Sequence, residues 1–135
     1  MMPATRILVI EDDGDFRDAL AQVLRVEGHD VDTAPDGRVG AALICQERLY
    51  DLIFCDLRMP GLDGRGLYEE IRRDCPQALR RMVFMSALSR SPEYAPFLRE
   101  TSVQLLPKPF TPQQLREVVA RMVGPRRLDV DPQPG

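Results

Sequence analysis

Leu52-Ile53-Phe54-Cys55-Asp56 decides the fold of this chain. Four apolar residues run without a polar break and stop at an acid. A strand with one wet face alternates apolar and polar positions, whereas a strand covered on both faces reads as a continuous apolar run. The segment therefore predicts a central strand sandwiched between helices. Working outward, comparable short runs occur at Ile7 to Ile10, Val31 to Ala34, Met82 to Met85 and Val103 to Leu106, with Val31 to Ala34 the weakest. Amphipathic stretches separate them, and this alternation is the pattern of a βα-repeated, mostly parallel sheet of the α/β class.

The helices are signalled unevenly. Phe16, Ala19, Leu20, Val23 and Leu24 fall at helical spacing, and Gly28 supplies a stop. A second helix is centred on Val39, Ala42 and Leu43, and a third is carried by Leu67 and Ile71. Pro92 and Pro96 interrupt the segment after the fourth strand, which predicts a short or irregular fourth helix. The last helix is marked by Thr111 as cap, Pro112 in the first turn and Gln114 three residues after the cap. Leu115, Val118, Val119 and Met122 then share one face. Past Gly124-Pro125 the periodicity fades, so residues 1–124 are expected to form one domain and 125–135 a flexible tail or linker.

Composition sets outer limits. With 135 residues, 44% apolar and 29% charged, the chain can bury one ordinary core and not two. The net charge of −3 is mixed along the chain, and nothing resembles the basic stripe that neutralises a nucleic-acid backbone, so direct nucleic-acid binding is not expected. Cys45, Cys55 and Cys75 are odd in number and widely spaced, and His29 is the single histidine. Both a disulfide framework and a zinc site are therefore poor readings, and a reducing cytoplasm is the expected compartment. Ile7 to Ile10 is too short for a signal-peptide core or a membrane span. Met82, Phe84 and Met85 read as core, and Cys55 as a strand residue with nothing nearby to activate its thiol.

The chain carries seventeen arginines and one lysine, Lys108. A compact ammonium on a flexible stem, kept where arginine is otherwise used, suits a phosphate site. In an open parallel sheet ligands bind beyond the carboxyl ends of the strands. The chemically capable residues fall there: Glu11 and Asp12 after the first strand, Asp56 after the third, Ser86 after the fourth and Lys108 at the close of the fifth. Asp13 reads as a helix cap. If the three acids converge, each close pair repels by about 4 kcal/mol at an effective dielectric near 20, so the cluster calls for a cation. Oxygen ligands with room for water favour Mg²⁺ over Ca²⁺. Asp56 is the candidate nucleophile, because a carboxylate can take a phosphoryl group as an acyl phosphate. Lys108 and the metal would neutralise that group, and the Ser86 hydroxyl would donate to it.

Taken in order, Ile7-Leu8-Val9-Ile10-Glu11-Asp12-Asp13, Asp51 to Gly64, Met85-Ser86-Ala87 and Lys108-Pro109-Phe110 resemble the motifs of response-regulator receiver domains of two-component signalling, the CheY-like group. The resemblance covers roughly residues 5 to 123. It implies a single doubly wound, five-stranded parallel sheet of flavodoxin-like (βα)5 type with strand order 2-1-3-4-5. It also implies a phosphoacceptor at Asp56, metal carboxylates at Glu11, Asp12 and Asp56, a backbone carbonyl ligand at Arg58, a switch hydroxyl at Ser86, a phosphate-pairing Lys108 and a cis Lys108-Pro109 bond. The implied partners are a histidine kinase or histidine phosphotransfer protein and a downstream output domain or protein, with a homodimer compatible and no membrane role.

Two positions depart from the common receiver pattern. Arg58 is long and cationic, and two readings stand side by side: it folds back on Glu11 or Asp12 and competes with the metal, or it faces solvent without effect. Leu105 stands where many receivers carry an aromatic residue, so the usual coupling through a rotating ring is in question. The leading expectation is a switch that accepts a phosphoryl group on Asp56 and loses it slowly by its own hydrolysis, and so is not a turnover enzyme. The alternative is a docking module of the same fold that does not switch. A phosphohydrolase is disfavoured because Asp56-Leu57-Arg58 has no second acid two residues on. Since Met1-Met2-Pro3 directly precede the domain, a free-standing regulator or the leading part of a longer protein is expected.

Overall fold

The computed structural model describes residues 5–46, 49–87 and 92–130, with side chains described as far as residue 124. Five strands, β1 (Arg6–Ile10), β2 (Asp30–Ala34), β3 (Leu52–Asp56), β4 (Met82–Ser86) and β5 (Gln104–Pro107), form one parallel sheet in the order β2-β1-β3-β4-β5. The connections are α1 (Gly14–Val26), α2 (Gly37–Ile44), α3 (Gly64–Asp74) with a following 3-10 turn (Pro76–Arg81), and α4 (Ala95–Thr101); α5 (Pro112–Val130) closes the chain. The order and class are those expected from the sequence.

Alternation along the strands builds a core on each side of the sheet. Ile7, Val9, Leu52, Phe54, Val83 and Met85 pack with residues of α1 and α5, including Leu20, Leu24, Leu115 and Val119. Leu8, Ile10, Ile53, Cys55 and Phe84 pack on the other side with residues of α2, α3 and α4, including Ile44, Leu67, Ile71 and Phe97. All five β3 residues are buried, as the continuous apolar run requires.

Caps follow local chemistry. Asp13 accepts from the Phe16 amide at the start of α1, and Gly28, at φ 97°, adopts the left-handed conformation just past its end. At α5, Gln114 N donates to Thr111 Oγ1 at 3.1 Å and Thr111 N donates to Gln114 Oε1 at 2.9 Å, the reciprocal pair its sequence predicts. The fourth helix is short, seven residues from Ala95 to Thr101.

Three expectations need correction. First, the expected second helix forms and Leu43 packs on the core, but the residues it buries are Gly37, Gly40 and Ile44, while Val39 is 39% exposed and Ala42 is also exposed. Gly40 faces Ile10 so closely that an added Cβ would lie 2.6 Å from Ile10 Cδ1. A helix that seats itself partly by lacking side chains shows a weaker apolar periodicity than its burial would suggest. Second, α5 does not stop at Gly124-Pro125 but continues to Val130. A proline within a helix forfeits one backbone bond without ending it in every case. Residues 131–135 lie outside the described part of the chain. Third, Cys45 and Cys75 form a disulfide, with Cα atoms 6.0 Å apart, and Cys55 is the free, buried thiol. The two cysteines cap the C-terminal ends of α2 and α3, which pack side by side. Their separation of 30 residues gave no hint of that neighbourhood.

Candidate functional site

The carboxyl ends of β1, β3, β4 and β5 bring the expected residues together. Glu11 is 1% exposed, Asp56 8% and Ser86 3%, whereas Asp12 is open to solvent. One carboxylate oxygen from each of Glu11, Asp12 and Asp56 lies within 4.8 Å of the others. The Lys108 ammonium donates to Glu11 Oε1 at 2.8 Å and stands 3.5 Å from Asp56 Oδ1. The Lys108–Glu11 contact joins residues 97 positions apart, so the fold itself creates it.

Backbone bonds fix the frame. Leu57 N donates to Met85 O at 3.0 Å and Lys108 N to Ser86 O at 2.9 Å, extending the parallel ladder past the last strand residues. The Lys108-Pro109 peptide is cis. The second oxygen of Glu11 accepts from the Asp13 amide at 3.1 Å, and the Glu11 carbonyl accepts from Arg17 at 3.0 Å. Both carboxylate oxygens of this buried acid are therefore satisfied. Gly64 opens α3 against the acceptor strand: its amide donates to Leu57 O, and a Cβ there would meet Asp56 O and Leu57 Cα, each at 2.9 Å.

Burial raises the Asp56 carboxyl from 3.8 to about 6; the Glu11 charge adds to the rise and Lys108 opposes it. An anionic cluster with one partial counter-charge and an exposed acid at its mouth suits a hard divalent ion held by few protein oxygens. The Cys55 thiol is raised well above its ordinary value by burial and by Asp56, so it stays protonated and packs in β3 as expected.

Arg58 does not fold back on the acids. Its guanidinium lies 3.3 Å from Glu93 Oε1 on the exterior, both side chains about half exposed. The acids already hold Lys108 at short range, and β3 directs the chain toward the segment before α4. Leu105 is half-buried and packs against the cluster around Phe84 and Phe97, the aliphatic filler its sequence indicates.

Two features escaped the sequence reading. Phe16, assigned simply to a helical face, lies beneath Lys108, with the ammonium 4.3 Å from the ring centroid. Its position at the start of α1, just past the acids, was the available signal. Tyr94, buried to 1% exposure, donates its phenol to Asp63 Oδ2 at 3.2 Å while Asp63 Oδ1 caps α3 at Gly66 N. Burial and Asp63 push the Tyr94 phenol up to about 12, so it remains a donor. Arg65 stacks over the same ring, 5.5 Å from its centroid, and donates to the Glu93 carbonyl. No sequence pattern links positions 63 and 94.

Comparison with known proteins agrees with this geometry. The response regulator receiver domain model matches residues 7–120. The chain is 34% identical over 128 residues to the transcriptional activator protein PfeR of Pseudomonas aeruginosa, covering 95% of this chain and 41% of that protein. It is 33% identical to the DNA-binding dual master transcriptional regulator RpaA of Synechocystis, covering 95% and 52%. The chain thus spans about half the length or less of these relatives. Among solved structures, it superimposes on the response regulator TrrA of Thermotoga maritima in complex with Mg²⁺ and BeF with TM-score 0.71, 29% identity and 87% and 98% coverage. The receiver domain of a Pseudomonas aeruginosa sensor histidine kinase, with magnesium coordinated in its active-site cleft, gives TM-score 0.78, 26% identity and 90% and 99% coverage. With the strand order, the gathered acids and the family match in agreement, this chain belongs to the response-regulator receiver-domain family of two-component signalling.

Proposed function

We propose that Asp56 accepts a phosphoryl group from the phosphohistidine of a histidine kinase or histidine phosphotransfer protein, and that the charge so added switches the surface of the domain. The observation that carries this reading is the placement of the Lys108 ammonium between Glu11 and Asp56, inside a three-carboxylate cluster. Glu11, Asp12 and Asp56, with the backbone carbonyl of Arg58, are the proposed holders of Mg²⁺. The bound ion supplies neutralising charge for the transferred phosphoryl oxygens.

A carboxylate oxygen of Asp56 attacks phosphorus while the P–N bond to the donor imidazole breaks, and the electron pair leaves on that nitrogen. Lys108 pairs with the transferred group, and Ser86 donates its hydroxyl to it and moves with it. Water attacking phosphorus later returns free Asp56 and inorganic phosphate, a slow self-reset and not turnover of a separate substrate. We place the exchange in the cytoplasm, with residues 1–124 as the switching unit and an output domain or partner protein as the recipient of the signal. Direct nucleic-acid binding by this domain and membrane insertion form no part of the proposal; among the described residues no helix is long and apolar enough to cross a membrane.

The test is labelling by a small phosphodonor such as acetyl phosphate, with and without Mg²⁺, in wild type and Asp56→Asn. Metal-dependent, acid-stable and base-labile label on wild type alone is expected. Equal labelling of Asp56→Asn would remove Asp56 from the role. No labelling of either protein would favour the docking module that does not switch.

A further inference from the structure

The disulfide joins two sulfurs in unlike surroundings. Cys45, at the end of α2, is exposed, while Cys75, at the end of α3, is 6% exposed within the apolar cluster that holds Ile71 and Ala78. A cleft beside the bridge is lined by Cys45, Gln46, Leu49, Tyr50 and Gln77, and Cys75 takes no part in its wall. An incoming thiol therefore meets one sulfur and not the other. Cys55 is fully buried in β3, out of reach of an incoming thiol, so it takes no part in exchange.

Arg81 also lines this cleft beside Cys45 and donates to the Tyr50 carbonyl at 3.3 Å. Cys45 ends α2, while Cys75 both ends α3 and precedes the 3-10 turn Pro76–Arg81. The nearby cations of α3 are already paired, Arg72 with Glu69 at 2.8 Å and Arg73 with Asp74 at 3.0 Å. With both sulfurs held in the bridge, reaction at this site begins with a thiolate brought from outside, attacking at the accessible end.

We propose that Cys45–Cys75 is a second covalent modification site of this protein, a thiol–disulfide exchange site that takes a dithiol reductant and is re-formed by a small disulfide. The reductant's thiolate attacks Cys45 Sγ; a new S–S bond forms as the Cys45–Cys75 bond breaks, and the electron pair leaves on Cys75 Sγ, which takes up a proton. The reductant's second thiolate then attacks its own sulfur in the mixed disulfide and releases Cys45, which is protonated in turn. The cysteine pair gains two electrons and the dithiol becomes a disulfide. Re-oxidation runs the same steps backward with a disulfide such as oxidised glutathione. The effect falls on the C-terminal ends of α2 and α3, which lead into the amino ends of β3 and β4, whereas Asp56 lies at the carboxyl end of β3. The assignment stands on the bridge geometry and does not depend on the phosphoacceptor reading.

The native chain, equilibrated in graded mixtures of reduced and oxidised glutathione and in dithiothreitol, is acid-quenched, alkylated and peptide-mapped. Cys45 and Cys75 are expected to become alkylatable together while Cys55 stays unlabelled. With oxidised glutathione, Cys75→Ser is expected to take a glutathione adduct on Cys45 at least about tenfold faster than Cys45→Ser takes one on Cys75, following access to sulfur. On reduction, amide hydrogen exchange should rise more at the last turns of α2 and α3 than in β1 or β3, whose slow amides report only the change in global stability. Two free cysteines in excess oxidised glutathione would overturn the proposal. So would faster adduct formation on Cys75, or a bridge that yields to dithiothreitol only under denaturing conditions.

Discussion

The Lys108 ammonium sits 2.8 Å from Glu11 Oε1, closer than to any oxygen of Asp56, its nearest being 3.5 Å away. In this state the cation proposed for the phosphoryl group is engaged by an acid proposed for the metal. A divalent ion held by Glu11 as proposed would contend with the ammonium for this buried carboxylate and weaken its hold on Lys108.

Lys108→Met separates the two roles. Without metal, the variant leaves Glu11 buried without its cation and is expected to lose about 2–4 kcal/mol of stability. Mg²⁺ should bind about tenfold more tightly, equivalent to about 1.4 kcal/mol of relieved repulsion between cations. Urea unfolding in chelator and calorimetric Mg²⁺ titration measure the two effects. Weaker Mg²⁺ binding by the variant would show that no competition exists.

Arg58 follows the second of its two sequence readings, the solvent-facing one. Because its guanidinium pairs with Glu93 at the exterior, Arg58→Asn should change Mg²⁺ affinity less than about twofold and stability by under about 1 kcal/mol, the range of exposed ion pairs. The same titration decides it, and a tenfold gain in affinity would return Arg58 to the acids.

What the sequence disclosed, and what it hid, follows from the range of each interaction. Leu52 to Cys55 announced a doubly covered strand because burial on both faces writes itself into consecutive residues. Glu11, Asp12, Asp56, Ser86 and Lys108 were legible because parallel strands deliver their carboxyl ends to one rim whatever the loops do. The Arg58–Glu93 pair, the Tyr94–Asp63 bond and the Cys45–Cys75 bridge were not, since each depends on how two neighbouring connections lie across each other. The seating of α2 was hidden for another reason: Gly37 and Gly40 act through the absence of a side chain.

Gly64 couples helix packing to the acceptor. Alanine there would gain helix propensity of about 1 kcal/mol, yet its Cβ would press on backbone atoms of Asp56 and Leu57 that have no rotamer to yield. The net expectation for Gly64→Ala is a loss of about 1–3 kcal/mol together with slower phosphodonor labelling of Asp56. Gly28→Ala is the control: a Cβ there meets no atom within 4 Å, so only the left-handed backbone is penalised, by about 1 kcal/mol, with labelling unchanged. Equal labelling rates for the two variants would deny Gly64 any influence on the site.

Reduction of the bridge should be felt chiefly in the unfolded chain. Closing a loop of 30 residues corresponds to about 3–4 kcal/mol in the chain-entropy account, so dithiothreitol is expected to lower the urea midpoint by that equivalent. A midpoint unmoved by reduction, with the bridge chemically verified beforehand, contradicts the prediction.

The pH dependence of the metal-free protein follows from Asp56. Burial, reinforced by Glu11, raises its carboxyl from 3.8 to about 6, so between those values the folded chain binds more protons at this group than the unfolded chain does. Stability from this group is then greatest below pH 3.8, falls as pH rises through the window and stays low above about 6, a difference of about 1–3 kcal/mol. Asp56→Asn removes the buried charge, so in chelator it should stabilise the protein by that amount at pH 7.5 and give no gain at pH 3.5. Mg²⁺ works in the other direction, because it requires the ionised carboxylate: affinity should be flat above about pH 7 and decline toward tenfold per pH unit below 6. Calorimetric titration across pH 5 to 8 tests the slope, and unfolding of the two proteins tests the sign. Should Asp56→Asn prove less stable than wild type at pH 7.5 without metal, the charge on Asp56 is already compensated by Lys108, and the acceptor is held ready by the lysine alone.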